Sequence, residues 1–170
     1  MTRGSDRSRA AGSSCGIRCA VPSCHRPRIR TRTRGSCGQA AALAGFVARH
    51  RGDTSFPPVV TGDLNAWPDS DEVRLLGGCT TAPAVPGQVL LDAWTYAGPA
   101  APHATWDAAN PYVAAADGPS ARIDYIHVGP PGPDGLGRVR DARRACDGPV
   151  DGLWPSDHAA VVADLAEAAR

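Results

Sequence analysis

Residues 59–66 read VVTGDLNA. The run 58–61 is short, apolar and β-branched, as expected of a buried strand. Gly62-Asp63-Leu64-Asn65 falls where that strand gives way to a loop, a place where rigid scaffolds carry functional groups. By itself Gly-Asp-x-Asn is most often a turn, because Asp and Asn hydrogen-bond their own backbone. Its weight comes from two similar clusters downstream. Arg122-Ile123-Asp124-Tyr125-Ile126 lies on an alternating, β-branched stretch, and Ser156-Asp157-His158 immediately precedes the apolar run 160–165.

Together the three clusters supply Asp63, Asn65, Asp124, Asp157 and His158. Three carboxylates, an amide and an imidazole suit hydrolysis of a phosphoester. Hard oxygen ligands favour Mg²⁺ or Mn²⁺ over zinc. Such an ion would neutralise phosphate charge while a carboxylate or imidazole manages the proton of an attacking water. Each piece also has a structural reading: Ser-Asp-His as a cap or surface loop, Arg122 and Asp124 as an ion pair along a strand. The shared order and strand context of the three favour chemistry.

The surrounding pattern predicts mixed secondary structure of the α/β class. From Gln39 onward, Leu43, Phe46 and Val47 share one helical face among helix-favouring alanines, and Gly52 ends the helix. Asp69-Ser70-Asp71-Glu72 opens a second helix, with Asp69 and Glu72 arranged as a capping box and Gly77-Gly78 as the stop. Residues 90–96, 122–128, 138–146 and 160–165 read as strands, and 103–107 as a loop or short strand. His103 is expected in a loop and His127 on an outward strand position. Trp67, Trp94 and Trp154 are read as packing residues. Strands with few helices between them imply α+β or a layered α/β sandwich.

Four segments in order, VVTGDLNA, HATWDAANPY, RIDYIHVG and WPSDHAAVVADL, resemble the second half of the endonuclease/exonuclease/phosphatase superfamily, over about residues 39–165. These are the metal-dependent phosphoesterases with a deoxyribonuclease-I-like fold. The resemblance implies the C-terminal half of a layered α/β sandwich, with a mainly antiparallel sheet and flanking helices. It implies that Asp63 orients or deprotonates the nucleophilic water and that Asn65 contacts the scissile phosphate. Asp157 would be a metal-side carboxylate, His158 would act on the phosphate, and Asp124 would orient His158. Thr105 and Trp106 match a substrate-side element, and Arg122 would brace Asp124. The substrate would be a nucleic acid or a small phosphorylated molecule, cleaved as by a nuclease or phosphatase. Members of the superfamily also carry an earlier half with a metal-binding Glu, whereas residues 1–38 contain neither Glu nor Asn. The resemblance therefore leads to the expectation of a fragment with impaired activity.

Composition divides the chain at the same place. All of the basic residues are arginine, and nine of the 18 precede Gly38, against one acid, Asp6; the net charge is only +1. Residues 1–37 are expected to be disordered or outside the family, and 38–170 to form the partial domain. A shifted reading frame or misassigned start would explain the change, as would a basic tail. Cys15, Cys19, Cys24, His25 and Cys37 lack paired zinc spacing. Arg51-Gly52-Asp53 sits in a turn, and Gly135-x-Gly137 lacks the context of a dinucleotide fingerprint. No stretch is long and apolar enough to span a membrane, and no signal-peptide pattern opens the chain, so a cytoplasmic location without a disulfide framework is expected. The rival readings are a catalytically inactive remnant and a basic-tailed nucleic-acid-binding protein.

Overall fold

A computed structural model describes residues 33–116 and 118–167. The stretch holding Cys15, Cys19, Cys24 and His25 lies outside the described residues. No helix among them is long and apolar enough to cross a membrane.

The first helix, α1 (Thr33–His50), opens ahead of Gln39. Its packing face differs from the one the pattern suggested. Ala40 and Ala44 are buried against Leu76 and Leu90, with Val47 beside them, while Phe46 is 54% exposed. Small alanines let α1 approach the second helix, and Phe46 turns out to stack on His50 at 4.3 Å between centroids. The second helix, α2 (Asp71–Gly77), is not closed by the Asp69–Glu72 box: its N-cap is Ser70, with no side-chain cap bond. It stops at Gly78, which takes the left-handed conformation (φ 65°) that a Cβ would penalise. Burying Leu76 and Leu90 contributes roughly 1.5–3 kcal/mol each.

Three strands, β1 (Val59–Asp63), β2 (Leu91–Asp92) and β3 (Asp124–Val128), form an antiparallel sheet in the order β1-β3-β2. A second sheet pairs β4 (Val139–Ala145) with β5 (Ala160–Leu165), also antiparallel. The stretch 90–96 is mostly not strand. After Leu91–Asp92 the chain turns into a 3₁₀ helix, Ala93–Tyr96, because the Asp92 carboxylate accepts the Trp94 N–H at 3.0 Å.

Alternation along the strands sets the layers. Val59, Ile126 and Val128 pack with Val139, Ala142, Val161 and Ala163, which joins the two sheets in one core. Val60, one residue on, faces the opposite way and packs with α1 and α2. The first sheet is thus covered on both sides, by helices and by the second sheet, as in a layered α/β sandwich. This is why His127 is not an outward residue: it is 1% exposed. Every alternate position on a doubly covered strand is buried, whatever its polarity.

Candidate active site

Asp63 is the last residue of β1 and Asp124 the first of β3, and the two are direct partners in the antiparallel register. Like charges placed opposite one another destabilise a sheet, so this pairing is unfavourable for folding alone. The backbone just beyond Asp63 is tightly specified. Asn65 adopts the left-handed region (φ 47°), which Asn tolerates better than most residues. Its N–H donates to Asp63 Oδ1 at 2.7 Å and its Nδ2 to Asp63 Oδ2 at 3.0 Å. The Tyr125 hydroxyl donates to the carbonyl of Ala66 at 2.6 Å and so fastens this loop to β3.

His158 sits just before β5. Its Nδ1 meets Asp124 Oδ2 at 2.8 Å, and the Trp106 ring meets the imidazole edge-on at 5.0 Å between centroids. Asp63, Asp124 and His158 offer donor atoms within 4.8 Å of one another. Burial raises the Asp63 carboxyl pKa above its ordinary value, and the charge of Asp124 adds to that, against the lowering effect of the Asn65 N–H. The hydrogen bond that the imidazole donates to Asp124 raises the His158 pKa, outweighing the opposite effect of burial. Both groups therefore hold a proton more tightly than they would free in water, and each owes this to its place in the cluster.

Asn65, Asp63, Asp124, His158 and Trp106 are thus brought together. Asp157 is adjacent in sequence, partly buried, and contacts the Ser156 hydroxyl at 3.2 Å; its charge also reaches His158. Thr105 departs from the substrate-side expectation. It is 1% exposed, and its Oγ1 accepts the N–H groups of Ile123 (3.0 Å) and Asp124 (3.2 Å), so it fixes the backbone of Asp124. Arg122 does not brace Asp124 either. Its guanidinium, 6% exposed, pairs with Asp92 at 2.7 Å and lies over the Tyr125 ring at 4.5 Å. The tryptophans divide: Trp94 packs against the main core, Trp154 lines a small cleft with Asp157, and Trp67 keeps 49% of its surface exposed two residues after Asn65.

The model for the endonuclease/exonuclease/phosphatase family matches residues 5–158. The chain belongs to the endonuclease/exonuclease/phosphatase family. The match opens ahead of Gln39, inside the arginine-rich stretch. Among solved structures, an endonuclease/exonuclease/phosphatase from Bacteroides vulgatus is similar at 25% identity and a TM-score of 0.55, over 79% of this chain and 45% of that one. A family protein from Bacteroides thetaiotaomicron is similar at 16% identity and a TM-score of 0.47, over 79% and 44%. This chain of the endonuclease/exonuclease/phosphatase family spans less than half the length of either structure. No protein with a curated description matches it.

One contributor at this end of the family fold escaped the sequence reading. Asn110, 4% exposed, donates from Nδ2 to the Ser156 carbonyl at 2.8 Å. It is the N-cap of α3 (Pro111–Ala114), which was also not anticipated. The Asn-Pro pair was the available signal: a capping residue followed by Pro at the first helical position marks a helix start.

Proposed function

We propose that this chain carries the proton-handling end of a divalent-metal-dependent phosphoester hydrolase acting on a phosphodiester or phosphomonoester. The observation that carries the reading is the 2.8 Å contact between His158 Nδ1 and Asp124 Oδ2, with Asp63 in the same cluster. In this reading Asp124 fixes the imidazole through Nδ1 and leaves Nε2 to act on the phosphate. Asp63, held in place by Asn65, accepts a proton from the attacking water. Asn65 keeps a partly free amide and an exposed position, suited to a phosphate oxygen. Trp106 holds the imidazole edge and borders the substrate.

The donor chemistry fits Mg²⁺ or Mn²⁺. Carboxylate oxygens predominate, and Mg²⁺ needs only one or two of them because it keeps water ligands. Asp63, Asp124 and His158 could chelate an ion together, but a nitrogen and an oxygen 2.8 Å apart are already occupied by the proton between them. We therefore assign Asp157 as the residue that would hold the metal, and the other three to proton transfer. When bound, the ion would supply charge neutralisation at the phosphate and acidify a water. A single carboxylate anchors an ion weakly, so turnover by this chain alone should be slow.

The test is hydrolysis of bis-p-nitrophenyl phosphate and p-nitrophenyl phosphate with Mg²⁺ or Mn²⁺, with and without chelator. We expect slow, chelator-sensitive release. His158→Ala and Asp63→Asn should each lower it by about a hundredfold or more, with unchanged circular dichroism. Wild-type rates no higher than those of His158→Ala would refute the assignment.

A further inference from the structure

The buried side chain of Asn110 is committed at both ends. Its Oδ1 accepts the Tyr112 N–H at 3.0 Å, which caps α3. Its Nδ2 donates to the Ser156 carbonyl at 2.8 Å and lies 3.4 Å from that of Asp157. A helix cap asks only for an acceptor, which Ser, Thr or Asp would provide equally well. The donor half of the amide serves the 156–158 turn and contributes nothing to α3. The anchor behind it is firm. The Asn110 N–H donates to the Asp107 carbonyl at 2.9 Å. The Asp107 carboxylate in turn accepts from Ala109 N–H at 3.0 Å and from Arg144 at 2.9 Å. From this strut, Thr105 reaches both ways: its hydroxyl holds Asp124 and its carbonyl accepts the Ala159 N–H at 2.8 Å.

We infer that Asn110 is a positioning residue for the turn bearing Asp157 and His158, setting where the imidazole meets Asp124. The inference rests on the reading of His158 and Asp157 as members of a phosphoesterase site. Without the Asn110 amide, the turn would keep the Ser156 hydroxyl, which accepts the His158 N–H at 3.1 Å, and the Ala159 bond to Thr105, but its Ser156 and Asp157 carbonyls would be free to shift by fractions of an ångström. Catalysis is sensitive to displacements on the scale of roughly 1 Å.

Asn110→Asp and Asn110→Ser separate the two functions of the amide: both keep a capping acceptor, while Asp has no donor and the shorter Ser side chain withdraws its hydroxyl from the Ser156 carbonyl. Amide hydrogen exchange at His158 and Ala159 reads the turn directly. Both amides should exchange about tenfold faster or more in each variant, beyond the smaller rise at the β3 amides that a lowered urea midpoint accounts for. With bis-p-nitrophenyl phosphate and Mn²⁺, kcat should fall roughly tenfold to a hundredfold and KM should stay close to wild type. Unchanged exchange at His158 and Ala159 would overturn the inference. So would an increase spread evenly through the chain, which marks the loss of a structural support. If wild type shows no turnover, the proposed activity fails, and exchange at these two amides still decides the positioning role.

Discussion

Acid should unfold this domain through His127, and the size of the effect follows from its burial. The ring is 1% exposed, lies 5.4 Å from the Tyr125 ring, and leaves its Nε2 without a hydrogen-bond partner among the described residues. Burial lowers its pKa from the ordinary 6.5 to about 4, helped by the Arg122 charge and opposed by that of Asp92. Above pH 6.5 the imidazole is neutral in both folded and unfolded chains and stability is unaffected. As pH falls from 6.5 toward 4, the unfolded chain takes up a proton that the folded chain refuses. Stability is therefore lost across that window, and the loss is complete below about pH 4. A change of that size corresponds to roughly 3 kcal/mol, a large share of a typical domain's total. His127→Leu keeps the volume, removes the titration and removes the orphaned nitrogen. It should raise stability by about 1 kcal/mol at pH 7 and widen its advantage by roughly 3 kcal/mol at pH 4. Urea denaturation of both proteins at pH 7, 5.5 and 4 measures this. Asp63 and His158, whose raised pKa values favour the folded state as pH falls, are common to both proteins and cancel in the difference. Stability curves that run parallel between pH 7 and 4 would show that His127 does not control acid sensitivity.

Thr105→Val keeps shape but deprives the Ile123 and Asp124 N–H groups of their acceptor. It should cost about 2 kcal/mol by urea titration, with any kinetic defect appearing in kcat; a defect confined to KM would restore Thr105 to the substrate side. Arg122→Ala leaves the partly buried Asp92 carboxylate unpaired. It should destabilise the fold by roughly 3 kcal/mol, and a loss under about 1 kcal/mol would show that the pair has little structural weight.

Local signals were enough to locate the two aspartates and the histidine in the sequence. A β-branched run followed by Gly-Asp-Leu-Asn, and an apolar run preceded by Ser-Asp-His, mark strand ends that depend on neighbouring residues alone. Strands with few helices between them likewise pointed to α+β or a layered α/β sandwich. Properties set by distant partners were not legible. Whether an alternate strand position meets solvent depends on what covers that face, so His127 was misplaced. Which acid an arginine pairs with depends on register between strands, so Arg122 proved to be joined to Asp92, 30 positions away, rather than to Asp124. Thr105 changed role because its hydroxyl is consumed by backbone N–H groups that only the fold brings within 3.2 Å. The proton affinities of Asp63 and His158 belong to the tertiary structure for the same reason. Both depend on burial and on the register that sets two carboxylates opposite each other, with the His158 imidazole, 34 positions beyond Asp124, bonded to one of them.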